Sequence, residues 1–323
     1  MSVLVFTENW DGRFKKLSFE LVSYAVKVAE MTGTEAIALS LGKIEPDELM
    51  KLGNYGVRRI LNVISEGLTV HDSQTYAEVI SNIAAKEKAN IVLFSNNNMG
   101  KALAPRVAVR LHAGLGAGIS KLPVSFDPFC VYRKVYSGNA FAQVKIKSDI
   151  KVLTLAQNSY QLNETANQAS IENVTPEFNP QNIKTKIVDI QKQTGKILLT
   201  DAEIVVSGGR GMKSPDNWGP LVELASLLGA ATACSRPVSD EGWRPSEEHT
   251  GQTGKIISPN LYIAIGISGA TQHLAGVSSS KYIVAINTDK DAPIFEAAQY
   301  GIIGDAAKVL PKMVEAVREI KAK

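Results

Sequence analysis

Short apolar runs alternate with amphipathic stretches through the first 120 or so residues. Residues 3–7, 36–41, 59–63 and 91–95 have the length and β-branched content of strands. The last is a continuous apolar run of the kind buried on both faces of a sheet. Between them, 18–31 places Leu21, Val22, Ala25, Val28 and Ala29 near helical spacing. Residues 73–87 do the same with Tyr76, Val79, Ile80, Ile83 and Ala84. Residues 45–52 read as a short helix and 101–111 as a longer one, followed by Gly114, Gly116 and Gly118. Strands alternating with helices predict parallel pairing through right-handed crossovers.

The rhythm changes after that point. Residues 141–146 and 151–155 read as strands with no helix between them, the pattern of an antiparallel edge on a parallel sheet. Asn158, Asn163, Asn167, Asn173, Pro176, Asn179, Pro180 and Asn182 then crowd a polar stretch, 157–195. That composition reads as a linker with one short strand at 186–190. The α/β rhythm restarts with a strand at 204–206 and a helix opening at Ser214 and Pro215, a hydroxyl at the N-cap and a proline at the first helical position. Trp218, Leu221, Val222, Ala225 and Leu228 form its inward stripe, and Gly229 closes it as a left-handed cap. Strands follow at 261–267, 282–287 and 301–304, and 306–321 is a final helix. Its lysines towards the end suit the helix dipole. The pattern predicts an α/β protein of two domains, 1–195 and 196–323.

Composition narrows the class. The 323 residues are 45% hydrophobic and 21% charged, ordinary for a globular protein. A net charge of +3 gives no sign of a nucleic-acid-binding face. Cys130 and Cys234 are too few and too far apart for a cysteine zinc site or a disulfide framework, and they suit a reducing compartment. The chain opens on a strand pattern rather than a basic leader, and no apolar run is long enough to span a bilayer. A cytoplasmic protein without membrane insertion is the expectation.

Candidate chemistry gathers after strands of the second half. Gly208, Gly209, Arg210 and Gly211 follow a strand and precede a helix. They read either as a tight turn with a surface arginine or as a phosphate site, with Arg210 adding a charge-assisted bond. Thr250, Gly251, Gln252, Thr253, Gly254 and Lys255 form a polar hairpin loop or the polar edge of a ring-binding site. Ser268, Gly269, Ala270, Thr271, Gln272 and His273 lie at a strand-to-helix loop, where open parallel sheets bind ligands. His273 is either a helix-start histidine satisfied by solvent or a donor, through an N–H or as the cation, to an electron-rich ligand. Ser235 and Arg236 follow Cys234, and the arginine is either fixed by a carboxylate or stabilises negative charge on a ligand. Cys234 reads as a small buried residue. Asn287 and Asp305 each follow a strand. There is no Ser-His-Asp order, HExxH, GxSxG or P-loop, so no catalytic residue is assigned.

These segments, with Ala292, Pro293, Ile294, Phe295, Tyr300 and Gly301 after them in order, closely resemble the electron-transfer flavoprotein α subunit. Looser agreement runs through Ala104, Pro105 and Arg106 and through Tyr136, Ser137 and Gly138, so the resemblance spans essentially the whole chain. It implies an N-terminal adenine-nucleotide-hydrolase-like parallel sheet that contacts a β subunit, and a C-terminal doubly wound domain that binds FAD. It implies that Arg210 and Ser235 contact FAD, that Arg236, Gln252 and Thr253 lie near the flavin ring, and that Ser268 to His273 bind it. It gives Asn287 and Asp305 the ADP half. It further implies AMP or a second FAD in the β subunit, flavin dehydrogenases such as those of fatty-acid oxidation as donors, and a quinone oxidoreductase as an acceptor. Cys234 and Thr271 are small departures from the pattern, and neither removes a contact. The rival readings are an NAD-linked oxidoreductase, which needs an acid or base beyond His273, and a nucleotide-binding regulator. The regulator needs a phosphate loop in the first half, where Gly114 to Gly118 is the nearest candidate.

Overall fold

The computed structural model of the chain describes residues 1–68, 71–138, 140–165, 167–183, 185, 187–189 and 197–322, with backbone alone at 137 and 182. The chain divides into two compact units. One comprises Met1–Val135 and Phe141–Gln191, the other Tyr136–Ala140 and Lys192–Lys323.

The first unit opens with β1 (Ser2–Phe6) and a hairpin of β2 (Asn9–Trp10) and β3 (Arg13–Phe14). It continues through α1 (Lys16–Thr32), β4 (Glu35–Leu41), α2 (Pro46–Gly53), β5 (Arg59–Val63), α3 (Ser73–Lys86), β6 (Ala89–Ser95) and α4 (Asn98–Arg110). Then come β7 (Gly114–Ile119), β8 (Ser125–Phe126), β9 (Phe129–Val135), β10 (Ala140–Ile146), β11 (Lys151–Leu155) and β12 (Ser170–Val174). Among the described residues the sheet order is β10-β9-β7-β11-β6-β1-β4-β5-β12, with β8 paired to β9. Alternate residues of each central strand face opposite cores. Val3, Val5, Ile91 and Leu93 pack with α1, and Leu4, Val92 and Phe94 with α3 and α4.

Three sequence expectations are corrected here. Residues 151–155 are not part of an antiparallel edge: β11 lies in the sheet interior, parallel to β6 and to β7. The stretch 157–195 is more than a linker, because β12 pairs in parallel with β5. Gly114 to Gly118 is no loop but β7. The strand expected at 186–190 has both ends outside the described residues.

The second unit holds β13 (Ile204–Gly208), α5 (Gly219–Leu228), β14 (Ala231–Cys234), α6 (Arg236–Asp240), β15 (Leu261–Ile265) and α7 (Thr271–Val277). After them run β16 (Tyr282–Asn287), α8 (Ile294–Ala297), β17 (Tyr300–Ile303) and α9 (Ala306–Ala322). The five strands are all parallel, in the order β14-β13-β15-β16-β17. Val206, Ile263, Ile265 and Ile286 pack beneath α5 and α9, while Val205, Tyr262, Ile283 and Ala285 face Val277 and Ile294. The sheet is therefore covered on both faces, which makes the unit doubly wound. Ser214 caps the chain as expected, accepting from the Asp216 amide at 3.2 Å, but it starts a 3-10 turn, Pro215–Trp218, that leads into α5. Trp218, Leu221 and Ala225 are buried as expected and Leu224 joins them, but Val222 is 41% exposed. The 3-10 turn Tyr136–Gly138 also belongs to this unit, and its Gly138 lies against Ser278 at the end of α7.

Candidate functional site

The chain enters the second sheet at β13, places β14 on one side and then crosses to put β15 on the other. Helices on opposite faces diverge at such a switch point and leave a crevice past the carboxyl ends of the strands. A cavity of about 470 Å³ opens there, within the roughly 300–1,000 Å³ usual for ligand clefts.

The ends of β13, β14, β15 and β16 all reach it. The loop after β13 brings Arg210 and Gly211, and the end of β14 brings Ser235 and Arg236. The turn before β15 contributes Thr250, Gly251, Gln252 and Thr253. The loop after β15 and the start of α7 contribute Ser268, Gly269, Ala270, Gln272 and His273, and β16 ends at Asn287. Thr271 and Asp305 lie outside the lining. Asp305 accepts from Lys213 Nζ at 2.7 Å and from the Ala307 amide at 3.0 Å, so it caps α9. The lysine holds its carboxyl below the usual range. His249, Pro237, Gly266 and Ile267 also line the cavity; the last three belong to the loop segments the sequence marks, while nothing in the sequence pointed to His249.

Backbone against backbone is what lets these loops close. A Cβ on Gly209 would lie 2.2 Å from the Gly266 carbonyl oxygen, and one on Gly211 would lie 2.6 Å from Gly266 Cα. Gly266 itself turns at φ 62°, which ends β15 at Ile265 rather than at Ile267. A Cβ on Gly276 of α7 would lie 2.4 Å from Gly251 Cα, and the Gln252 amide donates to the Gln272 carbonyl at 2.8 Å. Upstream, Arg244 donates twice to Glu248 at 2.7 Å and stacks 5.2 Å from the Trp218 ring. Glu248 is buried, so this bidentate pair fixes the turn that delivers residues 249–253.

The electrostatics differ from depth to rim. His273 is 7% exposed, and its Nε2 lies 2.8 Å from the hydroxyl of the fully buried Tyr262. Burial pushes the imidazole down to about 4, against weaker opposition from the Thr250 backbone. Its Nδ1 makes no hydrogen bond among the described residues. The ring is held by the Tyr262 hydroxyl rather than by solvent, and burial favours its neutral form near neutral pH. Cys234 is fully buried, and burial pushes its thiol up to about 12, which suits a packing residue. At the rim, Arg236 pairs with Asp240 of its own helix at 3.3 Å with both side chains 64% exposed, a pair of little energetic weight. Asn287 donates to the Ile267 carbonyl at 2.9 Å and accepts from the Asp289 amide at 3.0 Å, so it braces the loop. Among the described residues no group of three His, Cys, Asp or Glu could hold a metal ion, and no helix is long and apolar enough to cross a membrane.

Comparison with known proteins meets this geometry. A family model described as the electron transfer flavoprotein domain matches residues 3–179, and one described as the electron transfer flavoprotein FAD-binding domain matches residues 198–278. The chain belongs to the electron-transfer flavoprotein α-subunit family. Electron transfer flavoprotein subunit alpha of Bacillus subtilis is 36% identical over 321 residues, 98% of each chain. That of Thermoanaerobacterium thermosaccharolyticum is 34% identical over 324 residues, 99% of this chain and 98% of the relative. A probable mitochondrial α subunit from Caenorhabditis elegans is 34% identical over 325 residues.

As a member of this family the chain binds FAD and serves as an electron carrier. The site fits that cofactor. Arg210 and Arg236 offer positive charge to phosphates or a reduced ring, and the glycine contacts let backbone approach a flat ligand. A buried, unpaired imidazole nitrogen stands at the inner wall. The family assignment also disposes of the regulator's phosphate loop, since Gly114 to Gly118 is spent on β7.

Proposed function

We propose that FAD lies along the crevice of the second unit and that this chain carries electrons on it between flavin dehydrogenases and a membrane-associated or soluble acceptor. The convergence of four loops from successive strand ends on one cavity carries this reading. Arg210 and Ser235 hold the phosphate-bearing middle. Arg236, Thr250, Gly251, Gln252 and Thr253 border the ring, with Ser268, Gly269, Ala270, Gln272 and His273 on its other side. Asn287 and Asp305 take the ADP half, and Thr271 belongs to the FAD-binding segment from Ser268 to His273. FAD supplies the chemistry by accepting and releasing electrons. The chain's own residues bind it, orient it and set the charge around it, so no acid or base of the protein is required.

The first unit is assigned to contact with a β subunit that binds AMP or a second FAD. Acyl-CoA dehydrogenases, and so fatty-acid oxidation, are the proposed source of electrons, a quinone oxidoreductase the proposed acceptor, and the cytoplasm the proposed location. The test is to co-express the chain with the β-subunit gene and follow absorption during stepwise dithionite reduction. A flavin spectrum that bleaches in two stages, with FAD released on denaturation, is expected. A colourless complex would overturn the reading. One FAD per heterodimer marks a simple carrier and two mark a bifurcating one.

A further inference from the structure

Two histidines line the cavity, and they are held differently. His273 is buried, with Nε2 committed to the Tyr262 hydroxyl at 2.8 Å. His249 is half-buried. Its main chain is pinned, the amide donating to the Ser246 carbonyl at 3.1 Å and the carbonyl accepting from the Lys255 amide at 2.8 Å. Its ring lies close to the glycine turn. A Cβ on Gly254 would meet its Cγ and Nδ1 at 2.8 Å, and one on Gly251 would lie 3.5 Å from its Nε2. Gly254 therefore makes room for this residue, since a Cβ there would also lie 2.5 Å from the His249 carbonyl oxygen, and His249 lines the cavity from the loop that carries Gln252 and Thr253.

We infer that His249 is the group whose protonation changes the charge of the flavin cavity, so that the ease of reducing the bound FAD depends on pH through His249 and not through His273. The inference rests on the FAD reading above. Charged neighbours face His249 from each element around it. Helix α6 presents Arg236 and Asp240, of opposite sign, and α7 presents His273. Arg210 stands on the same cavity wall, while Arg244 and Glu248 neutralise each other. Burial lowers the pKa of His249, Asp240 opposes that shift, and Arg236 adds to it. The ring is thus neutral near neutral pH and partly open to solvent. An electron delivered by the donor places negative charge on the flavin and raises the proton affinity of His249, which takes its proton from solvent. By linkage the same coupling makes the flavin easier to reduce when His249 is protonated.

The test uses the FAD-loaded complex with its β subunit, as wild type and as H249Q, equilibrated with redox dyes at pH 6 and pH 9. At pH 9 both proteins should reduce to the same extent. At pH 6 the ratio of reduced to oxidised flavin at a fixed dye potential should be several-fold higher in the wild type, rising at lower pH towards the roughly tenfold limit that one pKa unit of coupling sets. The chain has four histidines, so ¹⁵N-histidine spectra of the same complex can be assigned by single replacement. The His249 signal should titrate while that of His273 stays neutral. Parallel potentials at both pH values, or titration at His273 with His249 unchanged, would overturn the inference while leaving FAD in place. A complex that emerges colourless would overturn the flavin assignment and this inference with it.

Discussion

A neutral imidazole bonded to a phenol deep in the protein has a cost that pH exposes. His273 titrates near 4 when folded, against an ordinary 6.5, so between those values the unfolded chain holds a proton that the folded chain refuses. Its contribution to stability is complete above the ordinary value and is lost as pH falls towards 4, about 3 kcal/mol in all. Urea midpoints measured from pH 7 to pH 4 should fall less steeply in H273Q than in the wild type. Equal slopes would remove the histidine from the acid response. Tyr262→Phe keeps the ring and deletes only the hydroxyl, leaving Nε2 buried without its partner, which should cost about 1–3 kcal/mol. At this scale the sequence was legible wherever glycine or polar residues directly follow a strand pattern, as at Arg210 and Ser268. It was silent about His249, which precedes its glycine turn with no strand before it. Asp305 carried the same post-strand signal but spends its carboxylate on a helix cap.

Helices and strands were readable to the extent that their own residues record their surroundings. Strands such as β6 and β16 have buried, apolar centres and announce themselves. Strand β7 does not, because its neighbours fill its side-chain space. A Cβ on Gly114 would meet Ile146 Cγ2 at 2.5 Å, and one on Gly116 would meet Leu153 Cδ2 at 2.8 Å. Strand β12 is hidden for the opposite reason: it is an edge strand, mostly exposed, and so has a polar sequence. The position of β11 depends on partners distant in sequence, which local periodicity cannot report. The interlocked loops give a prediction at this scale. Gly276→Ala should drive α7 from the 251–254 turn, destabilise the unit by about 1–3 kcal/mol and weaken FAD binding at least tenfold. Unchanged FAD retention on gel filtration would show that the contact is dispensable. Arg244→Ala should strand the buried Glu248 carboxylate and cost about 3–5 kcal/mol, read from thermal unfolding.

Each unit of the whole molecule has apolar clusters on both faces of its own sheet. Each therefore contains what a cooperative transition needs, and calorimetry should resolve two. The family assignment places FAD in the second unit, so free FAD at a hundred times its Kd should stabilise that transition alone, by about 2.7 kcal/mol. A shift of both transitions together would mean that they unfold as one. One consequence concerns the gene rather than the fold. Residues 136–140 belong with the second unit although the reading frame places them inside the first, and Gly138 buttresses the end of the helix that carries His273. An expression fragment started at residue 192 would leave that buttress behind. Fused back onto such a fragment, the segment around Gly138 should raise its thermal midpoint, and an unchanged midpoint would show that α7 stands without it.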